Sequence, residues 1–298
     1  MKQPWRNVRL AIFGFSTFAI LLTLSGLSLF YAKSFTLPSY SPLLNTPENV
    51  GLSAQDITIT TEDGIDLAAW YVPPVGTNDT VIIYLHGVGS NRSHLLDMAS
   101  LLHDDGYGAL LLDLRGHGES YAQYRTMGVY EVRDVQASVD YLLAQPDVNR
   151  VGVTGTSFGA SVALISAGQI PEIEAVVAFS PYSSLVDVVG DRAWQMYKLP
   201  PRPAADFVMW WMLGETGANV YEASPRDGMA QMGDRPVLHV HGALDPVIPP
   251  SSAERIQAVA GEHVEYWYLE EVGHASDAYV LRNREEELVA FINEAFAR

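Results

Sequence analysis

The stretch VGVTGTSFGASVAL (Val151–Leu164) begins with the apolar character of a buried strand and ends with the small residues of a helix. Ser157 stands at the change, with Gly155 and Gly159 two positions away on either side. Two interpretations are open: an ordinary strand-to-helix turn, or a serine nucleophile held on a strained bend. The second needs neighbours without bulk, and it points the N–H groups of the helix N-terminus at the serine. The pattern G-x-S-x-G in this context favours a nucleophilic serine.

Strand and helix patterns alternate on both sides of this stretch. The predicted strands lie at residues 56–72 (a hairpin), 80–85, 108–114, 150–156, 175–180, 236–240 and 264–269. The predicted helices lie at residues 92–103, 129–143, 158–168, 251–260 and 277–296. Strands that alternate with helices indicate a mostly parallel sheet with helices on both faces. The fold class predicted from the sequence is therefore α/β.

Residues 181–233 carry no strand signal and hold Trp194, Trp210, Trp211 and several methionines. A plain crossover rarely needs so many residues, so we expect a helical cap insertion over one end of the sheet. A pair of ordinary crossover helices is the alternative. The aromatic residues indicate an apolar acyl or aromatic group in a pocket below the cap, or simple packing of the cap on the body.

The N-terminal segment Leu10–Ala32 is uncharged and mostly apolar. At about 1.5 Å per residue it can cross a hydrocarbon core of about 30 Å as a transmembrane helix. Three basic residues precede it and one follows closely: Lys2, Arg6 and Arg9, then Lys33. This asymmetry predicts a cytoplasmic N-terminus and an extracytoplasmic main domain. A signal peptide cleaved near Gly26-Leu27-Ser28, which would give a secreted protein, is the alternative.

The chain accordingly divides into an anchor or signal (residues 1–33), a proline-containing linker (34–55) and one domain (56–298).

The net charge of −17 and the lack of a long basic run argue against nucleic-acid binding. The sequence has no cysteine, which excludes disulfides, thiolate zinc sites and cysteine nucleophiles. His239 and His241 alternate on a predicted strand and should face opposite sides, so we expect no metal site. The oligomeric state stays open.

A serine nucleophile needs a base at neutral pH. Four histidines follow Ser157 in the sequence: His239, His241, His263 and His274. His274 comes on a loop directly after a predicted strand, and Asp245 has the same position after another. Such loops gather at the carboxyl edge of a parallel sheet. We therefore expect His274 as the base and Asp245 as its partner, with Asp277 as a competitor that lies too close in sequence to His274.

The loop after the strand at 80–85 begins with His86-Gly87-Val88. Together with the N-terminus of the helix after Ser157, it can supply backbone N–H groups for an oxyanion. We expect the donors to be the N–H groups of Val88 and Phe158. His86 and the turn Asp113 to Gly118 are expected to be structural.

These motifs in this order resemble the α/β-hydrolase superfamily: strand-His86-Gly87, Asp113-Leu114-Arg115-Gly116-His117-Gly118-Glu119-Ser120, Gly155-Thr156-Ser157-Phe158-Gly159, Asp245 and Gly273-His274. The resemblance runs from about Asp56 to the C-terminus. The loop at residues 86–92 and the short insertion resemble the Bem46-like and ABHD13-like branch, whose members are often anchored to a membrane. The resemblance implies the α/β-hydrolase fold, a Ser157–His274–Asp245 triad in the chain order serine, acid, histidine, and no cofactor.

Three functions are compatible with these residues. The first is a serine hydrolase of the esterase, lipase or thioesterase kind, acting on a small-molecule or lipid acyl substrate with the membrane contacted through residues 10–32. The second is a serine peptidase on the same fold. The third is a catalytically silent, membrane-anchored binding module.

Overall fold

A computed structural model describes residues 4–274 and 276–297 of the chain, with side chains from residue 8 onward. Lys2 of the basic N-terminal cluster lies outside the described residues, as does the side chain of Arg6.

The strands of the described residues form one sheet with the order β1-β2-β4-β3-β5-β6-β7-β8. They are β1 (Gln55–Thr60), β2 (Asp66–Val72), β3 (Thr80–Leu85), β4 (Gly108–Leu112), β5 (Arg150–Thr156), β6 (Ile173–Phe179), β7 (Val237–Gly242) and β8 (Val264–Leu269). Strand β2 is antiparallel to both β1 and β4, and the other pairs are parallel. β3 and β4 are buried at every position, as expected of strands covered on both faces.

The helices are α1 (Pro4–Thr36), α2 (Leu96–Asp104), α3 (Glu131–Leu143), α4 (Phe158–Gln169), α5 (Leu185–Tyr197), α6 (Pro201–Thr216), α7 (Pro225–Gln231), α8 (Pro250–Gln257), α9 (Asp277–Asn283) and α10 (Glu285–Phe296). Two apolar layers cover the sheet. Helices α3 and α4 contribute to one layer, and α2 and α10 contribute to the other. The predicted fold, a mostly parallel sheet between helices, is confirmed.

The strand registers bring the predicted site loops to one edge of the sheet. Leu85 at the end of β3 pairs with Gly155 of β5, two residues before Ser157. Gly242 at the end of β7 pairs with Leu269 at the end of β8. Because paired strand ends lie side by side, the loops that follow these four strands meet above the same carboxyl edge.

The segment predicted as a cap insertion contains α5, α6 and α7. Helices α5 and α6, called the cap below, pack on each other, and α6 also packs on α1. Helix α5 reaches α1 through hydrogen bonds of Arg192 and Met196 with Tyr31. Helix α7 instead packs against α4 in the body of the domain. The helix break at Pro200-Pro201 follows from proline, which fits the first turn of α6 and cannot continue α5.

Helix α1 extends beyond the predicted span at both ends. It is the described helix that is long and apolar enough to cross a membrane. Its last turn reaches the domain, where Ala32 and Thr36 are completely buried. The following segment is also held: the N–H of Ser39 donates to the carbonyl of Gly116 over 2.8 Å, and the Asn91 amide donates to the carbonyl of Ser41 over 3.1 Å.

Candidate active site

Ser157 occupies a sharp bend between β5 and α4. Its backbone has φ 56° and ψ −115°, a conformation that residues with a side chain rarely adopt. The bend requires the flanking glycines, because a Cβ on Gly159 would collide with the carbonyl oxygen of Leu85 and a Cβ on Gly155 would meet the Gly159 backbone. The N–H of Ser157 donates to the carbonyl of Phe179 on β6 over 2.7 Å, which holds the bend against the sheet.

Three predicted site residues come together at this bend. The Ser157 hydroxyl lies 2.9 Å from Nε2 of His274, and Nδ1 of His274 lies 2.7 Å from Oδ2 of Asp245. Both distances are those of hydrogen bonds. If Nδ1–H donates to Asp245, Nε2 is left to accept from the Ser157 hydroxyl, which is the tautomer that a base for Ser157 needs. The three side chains come from loops that are far apart in sequence, as the sequence analysis predicted.

The Asp245 carboxylate is fixed by its own loop. Its Oδ1 accepts from the N–H groups of Val247 and Ile248, each over 2.8 Å, while Oδ2 accepts from His274. Burial alone would raise the pKa of Asp245, but the hydrogen bonds from His274, Ile248 and Val247 stabilise the carboxylate, and the pKa lies below its usual value. A permanently ionised Asp245 can orient His274 and stabilise its protonated form.

Asp277, the competing acid, makes different contacts. Its Oδ1 accepts from the hydroxyl of Thr156 over 2.9 Å, and its Oδ2 lies 3.8 Å from Nε2 of His94. Asp277 therefore supports the residue before Ser157, whereas Asp245 contacts His274 directly.

The predicted oxyanion donors border the same space. Val88 and Phe158 line a cleft of about 240 Å³ together with Ser157. Phe158 is the first residue of α4, where a backbone N–H has no partner within the helix and is free for a ligand. Val88 is half-exposed at the cleft, and Phe158 has its side chain buried in the core.

His86 is buried behind this loop. Its Nδ1–H donates to the carbonyl of Gly87 over 2.8 Å, and its Nε2 accepts from the N–H of Leu114 over 3.2 Å. Burial lowers the pKa of His86 to about 4, so the ring is neutral at pH 7 and both ring nitrogens serve the loop.

The Asp113 turn also makes structural contacts. Asp113 accepts from the N–H of Glu119 over 2.9 Å and from the buried guanidinium of Arg92. Arg115 donates to Asp134 over 2.8 Å. These groups tie the turns after β3 and β4 together.

The cleft above Ser157 is mainly apolar. Its walls come from the end of α1, from α5 of the cap, from the bend at Ser157, and from the loops that follow β3, β4, β6 and β7. The lining residues are Tyr31, Ser34, Phe35, Val88, Met127, Ser157, Phe158, Tyr182, Leu185, Val188, Val189, Arg192, Val247 and Ile248. The volume suits a small substrate or one part of a larger one, since ligand sites usually measure about 300–1,000 Å³.

Sequence reasoning missed the contribution of α1 to this cleft. Tyr31 and Phe35 are four residues apart and lie on one helix face, where their rings pack edge to face with centroids 5.8 Å apart. The sequence carried no clear signal for this contact, because the same segment also contains Phe13, Phe15, Phe18 and Phe30.

The fold and the site geometry together define a hydrolase of the α/β-hydrolase superfamily. Comparison with known families narrows this class, because residues 94–298 match the family model of the prolyl oligopeptidase family. The chain belongs to that family.

Relatives and solved structures support the superfamily. The chain is 29% identical over 240 residues to an uncharacterized protein of Mycobacterium tuberculosis, which covers 80% of this chain and 78% of that protein. It is 26% identical to the alpha/beta hydrolase domain-containing protein WAV2 of Arabidopsis thaliana, over 72% of this chain and 69% of that protein. The structure of the Pyrococcus furiosus esterase Pf2001 superposes with a TM-score of 0.69 at 27% identity, covering 86% of this chain and 98% of that one.

Proposed function

We propose that this protein is a serine hydrolase that cleaves carboxylic esters or thioesters through an acyl-enzyme on Ser157. The observation that carries the proposal is the hydrogen-bonded series from Ser157 through His274 to Asp245 at the base of an apolar cleft. His274 takes the proton of Ser157 as the serine attacks the substrate carbonyl, and Asp245 stabilises the imidazolium that forms. His274 then protonates the leaving group, and in the second half it activates the water that hydrolyses the acyl-enzyme.

The oxyanion of each tetrahedral intermediate would be held by the N–H groups of Val88 and Phe158. In other enzymes the loss of one such donor costs about 3 kcal/mol of transition-state stabilisation. These donors belong to the backbone, so they act whatever side chains the two positions carry. The resemblance to the Bem46-like branch stays a prediction that rests on the loop at residues 86–92 and on the short helical insertion.

A serine peptidase is the second candidate, favoured by the family to which the chain belongs. The ester proposal is preferred because the cleft is apolar and bordered by α1, whereas an extended peptide needs a row of backbone hydrogen-bonding groups. The Pyrococcus furiosus neighbour, described as an esterase, also covers more of this chain than the family match does.

The test compares acyl p-nitrophenyl esters of several chain lengths with aminoacyl p-nitroanilides, using the full chain and a Ser157→Ala control. We expect Ser157-dependent turnover of the esters. Turnover of the anilides alone would contradict the ester assignment and favour the peptidase. If a fluorophosphonate probe does not label the protein in a Ser157-dependent manner, the protein is instead a catalytically silent binding module.

We also propose that α1 is retained as a membrane anchor, with the hydrolase domain outside the cytoplasm. The support is the length of α1, whose apolar span Val8–Thr36 has 29 residues, whereas the apolar core of a signal peptide has about 7–15. The helix continues unbroken to the domain, where the Thr36 hydroxyl donates to Glu215 over 2.8 Å and Lys33 pairs with the same carboxylate over 3.2 Å. Arg125 donates to the carbonyl of Ser34 over 2.9 Å. These contacts all lie after Gly26-Leu27-Ser28, so they fix the end of α1 on the domain in either case, and the length of the apolar helix is what favours retention.

The absence of native cysteine makes the topology simple to test. The exposed Gln257 at the end of α8 can be changed to cysteine, and intact cells treated with a membrane-impermeant maleimide. Labelling of a full-length, membrane-bound protein is expected. Labelling only after cell lysis would place the domain in the cytoplasm, and a shortened protein in the medium would show signal cleavage.

A further inference from the structure

An apolar groove runs between α1 and the cap. It is lined by Leu27, Ser28, Tyr31, Val189, Ala193, Tyr197, Leu199, Ala204 and Val208. This cap groove shares Tyr31 and Val189 with the cleft that contains Ser157. The groove is a narrow passage of about 40 Å³ beside the cleft of about 240 Å³, and the side chains of Tyr31 and Val189 separate the two.

The groove lies where α1 would leave a bilayer. Residues 10–26 of α1 are uncharged and exposed or only partly covered, and at about 1.5 Å per residue they extend about 26 Å. They therefore cross most of a hydrocarbon core of about 30 Å. The first groove residue, Leu27, follows directly. The outer end of the groove thus opens at the level of the membrane surface.

The corner between α5 and α6 lies at the same level, because Tyr197 and Ala204 on either side of it line the groove beside Leu27. Trp194 and Met196 at this corner are 52% and 55% exposed. Residues 191–206 contain three basic and two acidic side chains; Arg202 pairs with Asp206 over 3.0 Å, and Asp191 pairs with Arg255 of α8 over 2.7 Å. Arg192 and Lys198 remain as basic side chains at this corner, in a chain with a net charge of −17. Exposed aromatic rings beside basic groups are typical of a surface that contacts lipid headgroups.

Tyr31 stands between the groove and the cleft. Its hydroxyl accepts from Nε of Arg192 over 3.3 Å, and its ring contacts Phe35, which lines the cleft. A chain that enters from the membrane side would pass Tyr31 before it reaches Ser157.

We propose that the cap groove is the entrance for the acyl chain of a membrane lipid ester, which reaches Ser157 from the bilayer alongside α1. The inference rests on the proposed hydrolase function and adds the source and route of its substrate. The lipid's acyl chain passes along the groove and past Tyr31 until its ester group lies at Ser157. The acyl chain is transferred to the serine hydroxyl, the alcohol leaves with the proton from His274, and water completes the hydrolysis.

The test uses the full chain reconstituted in phosphatidylcholine vesicles and two esters with the same leaving group. p-Nitrophenyl palmitate dissolves in the bilayer, and p-nitrophenyl acetate reaches the cleft from water. Ala193→Trp fills the groove from the α5 side. We expect it to lower the ratio of palmitate to acetate turnover at least tenfold. Ala258→Trp makes the same change at an exposed position at the end of α8 and should leave the ratio at the wild-type value.

An unchanged ratio in the Ala193→Trp variant, with both esters hydrolysed, would overturn the entrance while leaving the hydrolase intact. A wild-type ratio accompanied by conversion of a dimer to a monomer would show that a second copy of the chain occupies the groove, and this too would overturn the proposal. If neither ester is hydrolysed in a Ser157-dependent manner, the proposed function fails and the entrance fails with it.

Discussion

The backbone of Ser157 yields a prediction about stability that is separate from activity. At φ 56° and ψ −115° a residue with a Cβ is strained, by about 1–3 kcal/mol, and glycine is not. Glycine in turn loses about 0.5–1 kcal/mol more than alanine in backbone entropy on folding. Ser157→Gly should therefore be more stable than Ser157→Ala by about 1 kcal/mol. Both variants lose the hydroxyl bond to His274, so their difference isolates the backbone.

Thermal unfolding of the full chain in detergent measures this difference, expected as a rise of about 2–4 °C in Tm for the glycine variant. Ser161 provides the matched control, since it is a buried serine inside α4, one turn after Ser157. In a helix interior, glycine is about 1 kcal/mol less stable than alanine, so the order should reverse. If glycine is the less stable substitution at both positions, the bend at Ser157 stores no strain and the reasoning is refuted.

Three further changes test the site and the fold. Asp245→Asn should lower kcat by about 10³–10⁴-fold with little change in KM, because His274 would be held in the wrong tautomer. Gly159→Ala should lower the free energy of unfolding by about 3 kcal/mol, measured by chemical denaturation, because its Cβ collides with the Leu85 carbonyl. Burial lowers the pKa of His86 from 6.5 to about 4, so below pH 6.5 the unfolded chain binds a proton that the folded chain does not. Stability contributed by His86 is present above pH 6.5 and falls towards pH 4, by up to about 1.4 kcal/mol per pH unit.

Each of these has a control and a contradicting result. Asp277→Asn should change kcat less than tenfold, and an equal loss in both variants would reopen the choice of acid. Gly214→Ala, on α6 with open space around it, should gain about 1 kcal/mol. A Gly159→Ala variant of wild-type stability would contradict the close packing of β3 on α4. His86→Gln should flatten the dependence of unfolding on pH, and an unchanged slope would assign the loss to other groups.

The sheet and the bend at Ser157 were predictable because they follow from local patterns. Short apolar runs such as residues 80–85 and 108–114 identify buried strands, and the glycines around Ser157 identify a close approach of strand and helix. The boundaries were less accurate. The helix predicted from residue 92 begins at Leu96, because the Asn91 side chain accepts from the N–H of Ser93 and holds a turn there.

The contacts of residues 34–54 were not predictable from sequence. The prolines suggest a free linker, whereas the structure bonds Ser39 to Gly116 and Ser41 to Gly89. These bonds join residues that are far apart in the chain, and neither the hydrophobic periodicity nor the local composition of the sequence predicts them. The same reason hides the packing of Thr36 on Glu215, since polar pairs 179 positions apart leave no local signal.

Whether the N-terminal segment is cleaved decides which substrates can reach Ser157. Cleavage near Gly26-Leu27-Ser28 would leave a helical stub of about eight residues that ends at Thr36. A helix this short is marginally stable alone, so its bonds to Glu215 and Arg125 would have to keep it folded on the domain. The stub would keep Tyr31 and Phe35 in the wall of the cleft, so a soluble ester would still reach Ser157. It would lose the bilayer and the outer end of the cap groove. A secreted form should thus hydrolyse short esters and leave vesicle-bound palmitate untouched, and equal turnover of palmitate by both forms would show that the bilayer plays no part in delivery.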